Sequence, residues 1–149
     1  MKSSYKKRED IWKYYSVDYT DSYTEEMDKE GLSVLKWSMF DSAGELGSGK
    51  RFMEDAPVFI LDKIMKTERL RGYIELAYTS KRYADNLLLS TKSPHRLGKA
   101  VKFRCINNNQ RFRFVRGLIQ YGVQRIKLSK DSVYFDTDNY IQKAELTMI

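Results

Sequence analysis

Apolar positions fall at helical spacing twice along this chain and at alternating spacing in the stretches between, and polar or glycine-rich segments separate the runs. From Asp55-Ala56-Pro57, Val58, Leu61, Ile64 and Met65 recur on one helical face, while the basic Lys66, Arg69 and Arg71 gather toward the end. An Asp cap with Pro in the first turn predicts the start, and Gly72 predicts the stop. Tyr73 to Tyr78 alternates as a strand. Residues 79–94 are polar around Leu87-Leu88-Leu89, which predicts a long loop holding at most a short helix. Ala100 to Ile106 reads as a second strand. Asn107-Asn108-Asn109 then caps a helix over 109–121, with Phe112, Val115, Leu118 and Ile119 as its apolar stripe and Arg111, Arg113 and Arg116 off it. Gly122 ends that helix. Gln124–Leu128 and Ser132–Asp136 make a hairpin around Lys130-Asp131. The order helix, strand, loop, strand, helix, hairpin predicts an α+β fold with a mostly antiparallel sheet.

The first thirty residues lack such a pattern. Basic positions (Lys2, Lys6, Lys7, Arg8) give way to acidic ones (Asp18, Asp21, Glu25, Glu26, Asp28, Glu30), with Tyr5, Trp12, Tyr14, Tyr15, Tyr19 and Tyr23 scattered among them. We divide the chain into an N-terminal arm, 1–33, and one domain, 34–149; 149 residues suit a single core. The glycines of 41–51 predict a loop. Gly44 and Gly49-Lys50 have phosphate-loop spacing, but Arg51 stands where a magnesium-holding Ser or Thr belongs, and no buried strand precedes the loop.

Composition narrows the chemistry. Charged residues are 32% and the net charge is +7, which favours acidic partners such as nucleic acid or anionic cell-wall polymer. Arg111–Arg116 and Lys92–Arg104 interleave bases with Phe103, Phe112 and Phe114; the expectation is phenylalanines facing the core and arginines facing water. Cys105 is the only cysteine, so an intramolecular disulfide and a cysteine zinc site are both excluded. The opening residues do not read as a signal peptide, and no apolar run has the length of a membrane span. The expectation is a cytoplasmic protein without a membrane partner.

His95, the sole histidine, sits in Ser93-Pro94-His95-Arg96-Leu97-Gly98-Lys99-Ala100-Val101-Lys102, a loop leading into a strand. This stretch, together with Trp37-Ser38-Met39-Phe40-Asp41-Ser42, Gly47-Ser48-Gly49-Lys50, Phe52-Met53 and the run from Gly122 to Asp138, resembles the zinc D,D-carboxypeptidase and endopeptidase family that cuts peptidoglycan stem peptides. The short, single-domain bacteriophage members are the most similar. The resemblance covers about three quarters of the chain and implies the D,D-peptidase (Hedgehog/D,D-peptidase-like) fold. The family binds zinc through a Ser-x-His-x-x-Gly-x-Ala-x-Asp motif and a later His-x-Asp, leaving an open position for water. Ser93, His95, Gly98 and Ala100 match the first motif, but its aspartate slot holds Lys102 and the second histidine slot holds Tyr134. Asp136 matches the aspartate of His-x-Asp, and Asp131 stands where an acidic base is carried; these two are the candidate catalytic residues. Ser80, Arg82 and Ser93 are the candidate substrate-binding residues, with Arg82 in a shortened version of the family's Ser-Gly-Tyr-Arg segment.

An ammonium has no lone pair for a metal and repels a dication. The resemblance therefore implies a pseudo-peptidase with no cofactor, in which Lys102 pairs with Asp131 or Asp136 across the cleft. Such a protein would be a phage or prophage accessory factor, in a virion or host-lysis setting, binding a protein or a peptidoglycan fragment. The alternatives are a residual zinc peptidase and a basic nucleic-acid-associated protein.

Overall fold

Strand alternation sorts the hairpin and its neighbours into two faces. The computed structural model describes residues 23–90 and 92–138; residues 1–22 of the predicted arm lie outside them. Four strands, β1 (Gly72–Leu76), β2 (Ala100–Cys105), β3 (Arg125–Leu128) and β4 (Ser132–Asp136), form one sheet in the order β1-β2-β4-β3. Every pairing is antiparallel, with Lys102 opposite Tyr134, Ala100 opposite Asp136, and Arg125 also opposite Asp136. The molecule is thus a mixed α+β fold with an antiparallel sheet, as the pattern predicts. No helix among the described residues is long and apolar enough to cross a membrane.

Val101, Phe103, Val133 and Phe135 point to one face and are fully or almost fully buried there. Against them pack α3 (Asp55–Glu68) and α5 (Asn108–Gln120). Phe114 of α5 meets Phe103 edge-on at 5.3 Å and Phe135 at 6.0 Å between ring centroids. The buried positions of α5 are Gln110, Phe114, Gly117 and Leu118, whereas Phe112 and Ile119 of the expected stripe are 63% and 61% exposed. Residues two apart on a helix face nearly opposite ways, so only one of Phe112 and Phe114 can reach the sheet. Gly117 decides the phase, because a β-carbon there would lie 3.1 Å from the Ile64 side chain.

Two short helices appear where arm or loop was expected, α1 (Glu25–Lys29) and α2 (Ser48–Phe52) inside the glycine-rich stretch, and a 3₁₀ turn lies between them at Trp37–Phe40. Three carboxylates fasten this part of the chain. Asp28 accepts from the Ser38 N–H at 2.6 Å and the Ser38 hydroxyl at 2.9 Å. The buried Asp62 carboxylate accepts three backbone N–H groups, from Ser33, Val34 and Leu35, at 2.8–2.9 Å. Asp41 accepts from Gly47 and Gly49, so the N–H groups a phosphate loop would offer are spent on an internal carboxylate. The chain entering the domain is fastened this way before the sheet begins.

Two boundaries move. Asp55 is the first residue of α3 rather than its cap, and α3 stops at Glu68 with Arg69 left-handed at φ 51. Gly72 serves β1 instead: at φ +146, a β-carbon there would lie 2.0 Å from the Arg104 carbonyl oxygen on the neighbouring strand. The helix in 79–94 is α4 (Lys81–Asn86), ahead of the leucines, with Ser80 as its cap.

Candidate functional site

On the sheet face away from α3 and α5, the same alternation aligns Lys102 and Arg104 of β2 with Ser132, Tyr134 and Asp136 of β4. The loop before β2 places His95 over this face. The His95 carbonyl accepts from Thr79 N–H at 3.1 Å, and Lys99 N–H closes the turn on the Pro94 carbonyl at 2.8 Å. The Gly98 carbonyl accepts from Glu54 N–H at 2.8 Å, pinning the loop to the end of α2. The buried imidazole lies 2.9 Å through Nδ1 from the Ala77 carbonyl oxygen. A carbonyl only accepts, so Nδ1 carries the proton and the lone pair is on Nε2. The ring meets Tyr134 edge-on, centroids 5.4 Å apart. Thus His95, Lys102 and Tyr134, separated by up to 39 positions of sequence, converge on one place.

Their chemistry is not that of a zinc site. The Tyr134 hydroxyl donates to Asp136 at 2.5 Å, and burial together with that bond pushes the phenol far above its ordinary range, so it stays protonated. The Asp136 side chain is wholly buried; Arg125 Nε lies 2.9 Å from one oxygen and 3.0 Å from the other, and the Asp138 N–H adds a bond at 3.1 Å. Lys102 Nζ sits 3.9 Å from Glu75, not beside Asp131 or Asp136 as expected. Asp131 instead lies 3.3 Å from Arg104. The expectation failed because Glu75, from β1, reaches the same face at the irregularity in pairing between Ile74 and Leu76. Among the described residues no group of three His, Cys, Asp or Glu is placed to hold a metal. A single imidazole nitrogen beside an ammonium and a protonated phenol does not fit zinc.

Glu75 is the organising acid that pattern reading missed. Ser132 Oγ donates to it at 2.6 Å and Arg104 Nε at 3.2 Å, and these bonds with the nearby Lys102 hold its carboxyl below the usual range, the Ser132 bond contributing most. Its signal was a single acid inside the otherwise uncharged run Tyr73–Tyr78. Glu75 also lines a cavity of about 160 Å³ together with Asp41, Tyr83, Met39 and the end of β1. Burial pushes Asp41 up to about 7 against the pull of its two N–H donors. Both carboxylates are engaged in bonds that hold the fold.

The remaining candidates scatter. Asp131 and Asp136 stand at opposite ends of β4, about 17 Å apart at roughly 3.4 Å per residue, too far to serve one reacting bond. Ser80 is buried and capping α4. The Arg82 side chain is 81% exposed, with Glu45 at 3.5 Å. Ser93 is part of the His95 turn, its carbonyl accepting from Leu97 N–H.

Burial holds His95 below its ordinary pKa, with Lys102 adding to the depression and the Ala77 bond and Asp136 opposing it. The unfolded chain therefore binds more protons than the folded one just below pH 6.5, and this part of the stability is lost as pH falls from there through the folded value. His95→Asn keeps a donor in the Nδ1 position without the titration. We expect a lower melting temperature at pH 7.5 from lost ring packing, but a smaller further drop on going to pH 5.5 than in the natural chain. Equal drops in the two proteins would show that His95 does not titrate differently on folding.

No protein-family model, curated protein or solved structure matches the chain.

Proposed function

We propose that this chain is a D,D-peptidase-like domain that has lost its zinc centre and serves as a binding protein, a pseudo-peptidase accessory factor of a phage or prophage. Its ligand is a peptidoglycan stem peptide or a protein segment lying along the polar sheet face. The observation that carries this reading is the convergence of His95, Lys102 and Tyr134: three positions that the family's metal motifs would occupy meet across β2, β4 and one loop. A chance similarity of motif spacing has no reason to bring them into contact. The occupants argue against hydrolysis. Lys102 supplies a positive charge where a metal would sit, and the Tyr134–Asp136–Arg125 chain replaces metal ligation by hydrogen bonds. What remains is a row of paired charges across the sheet, Glu75 with Lys102 and Arg104 toward one edge and the buried Asp136 with Arg125 toward the other. That suits a zwitterionic peptide.

The test is zinc content and affinity of purified, tag-free protein beside a His95→Ala control, together with titration of a stem-peptide fragment. The expected result is no stoichiometric zinc, no cleavage, and saturable peptide binding that Lys102→Ala weakens. Stoichiometric zinc that disappears in the control would overturn the reading and restore the peptidase.

A further inference from the structure

The helical layer carries a second surface, separate from the polar sheet face. At the end of α3, Glu68 holds Arg113 and Arg116 of α5, and Lys66, Arg69 and Arg71 are the other basic residues of that chain end. Glu68 Oε1 accepts from Arg113 Nε at 3.3 Å and from Arg116 Nη2 at 3.2 Å. The Arg71 N–H donates to Gln110 of α5 at 2.7 Å, which brings the segment after α3 against α5. Lys66 and Arg69 flank Glu68 along the chain and are exposed, as is Arg71. Two guanidinium groups thus share one carboxylate, and three further exposed cations lie at the same end of α3, in a chain whose net charge is +7.

Beside them lies Phe112. It is 63% exposed, and the Arg116 guanidinium sits over its ring at 5.7 Å from the centroid. The expectation that the phenylalanines of this stretch all face the core holds for Phe103 and Phe114 and fails for Phe112. An exposed aromatic with a guanidinium on one side, set in a basic field, offers two different things at once. The cations attract phosphates, and the guanidinium already engaged by Glu68 is held in place for bidentate contact. The flat ring and guanidinium offer a base a face to stack on, which a duplex with its bases already stacked cannot use.

We propose that the α3–α5 surface binds single-stranded nucleic acid, with Lys66, Arg69, Arg71, Arg113 and Arg116 along the phosphates and Phe112 as the stacking platform. This activity does not depend on the polar sheet face.

The test is fluorescence anisotropy of a labelled 20-nucleotide single strand with the full chain, from 50 to 200 mM salt. Five phosphate contacts give a log–log salt slope of about −3.5, and K66Q/R71Q lowers its magnitude by about 1.4. Phe112→Ala weakens binding on the order of tenfold with the slope unchanged, because stacking is not electrostatic. Lys102→Ala, on the polar sheet face, leaves both quantities as they were. Circular dichroism melts verify that each variant is folded; Phe112, Lys66 and Arg71 are all exposed, so their replacement spares the core. A slope near zero, a slope insensitive to K66Q/R71Q, or full affinity in Phe112→Ala would overturn the proposal. So would capture by phosphatidylglycerol vesicles without oligonucleotide binding, which would make the patch a membrane-surface contact.

Discussion

The double variant Lys102→Asp/Tyr134→His is expected to bind zinc at least a thousandfold more tightly than the natural chain. Lys102 and Tyr134 are direct partners across β2 and β4, so their β-carbons are about 4.5–5.5 Å apart on the same face. The His95 ring already touches the Tyr134 ring. Aspartate at 102 and histidine at 134 would add two donors within reach of His95, completing a two-histidine, one-aspartate set with an open fourth position. Removing the Lys102 ammonium alone takes away a repulsion of about 4 kcal/mol per unit of metal charge at roughly 4 Å and an effective dielectric of 20, which is already about a thousandfold. Asp136 loses the Tyr134 hydroxyl but keeps Arg125 and the Asp138 N–H, so no buried charge is left bare. The affinity is measured by competition with a chromophoric chelator. A zinc-dependent rise in melting temperature gives an independent reading, since a ligand that binds only the folded state stabilises it. Adding His95→Ala should lower the affinity again, because one of the three donors is lost. A double variant that folds normally but takes up zinc no better than the natural chain would mean that these three positions are not a vestigial metal cleft, and the peptidase-derived reading would fail with it.

The convergence of those positions explains what could be read in advance and what could not. Apolar residues alternate at Val101, Phe103 and Cys105 and at Val133 and Phe135, so the hairpin and the antiparallel class were legible from residue types alone. The phase of α5 was not, because Phe112 and Phe114 are equally apolar and only the fit of Gly117 against Ile64 separates them. The charge partners were misassigned for a related reason. Which acid meets Lys102 depends on the pairing of β1 with β2, and the break in register after Ile74 that lets Glu75 reach the polar face has no mark in the sequence. Glu75 is also the acid that ties β1 to β4 through Ser132, spanning 57 residues, a range at which local pattern carries no information. The short elements before α3 were not predicted because each spans only four or five residues, too few for a periodic pattern.

Gly98→Ala is expected to cost roughly 3–5 kcal/mol. Gly98 sits at φ +73, where a side chain costs about 1–2 kcal/mol by clash with its own backbone. The added β-carbon would also lie 2.1 Å from the Phe52 carbonyl oxygen and 3.1 Å from the Met53 α-carbon. Neither can yield easily, since Phe52 and Met53 are buried and Phe52 stacks on Tyr78 at 5.0 Å. The loop would have to lift, breaking the bond from Glu54 N–H to the Gly98 carbonyl and loosening the turn that sets the His95 ring on the Ala77 carbonyl. Gly44→Ala is the matched control: its φ is +74, but nothing lies within 4 Å of the added carbon, so only the backbone cost of about 1–2 kcal/mol applies. Chemical denaturation of the two variants separates the contributions, because the backbone term cancels between them. A difference of 2 kcal/mol or more assigns Gly98 to close packing of the His95 loop on α2, and equal losses would mean that the loop does not sit there.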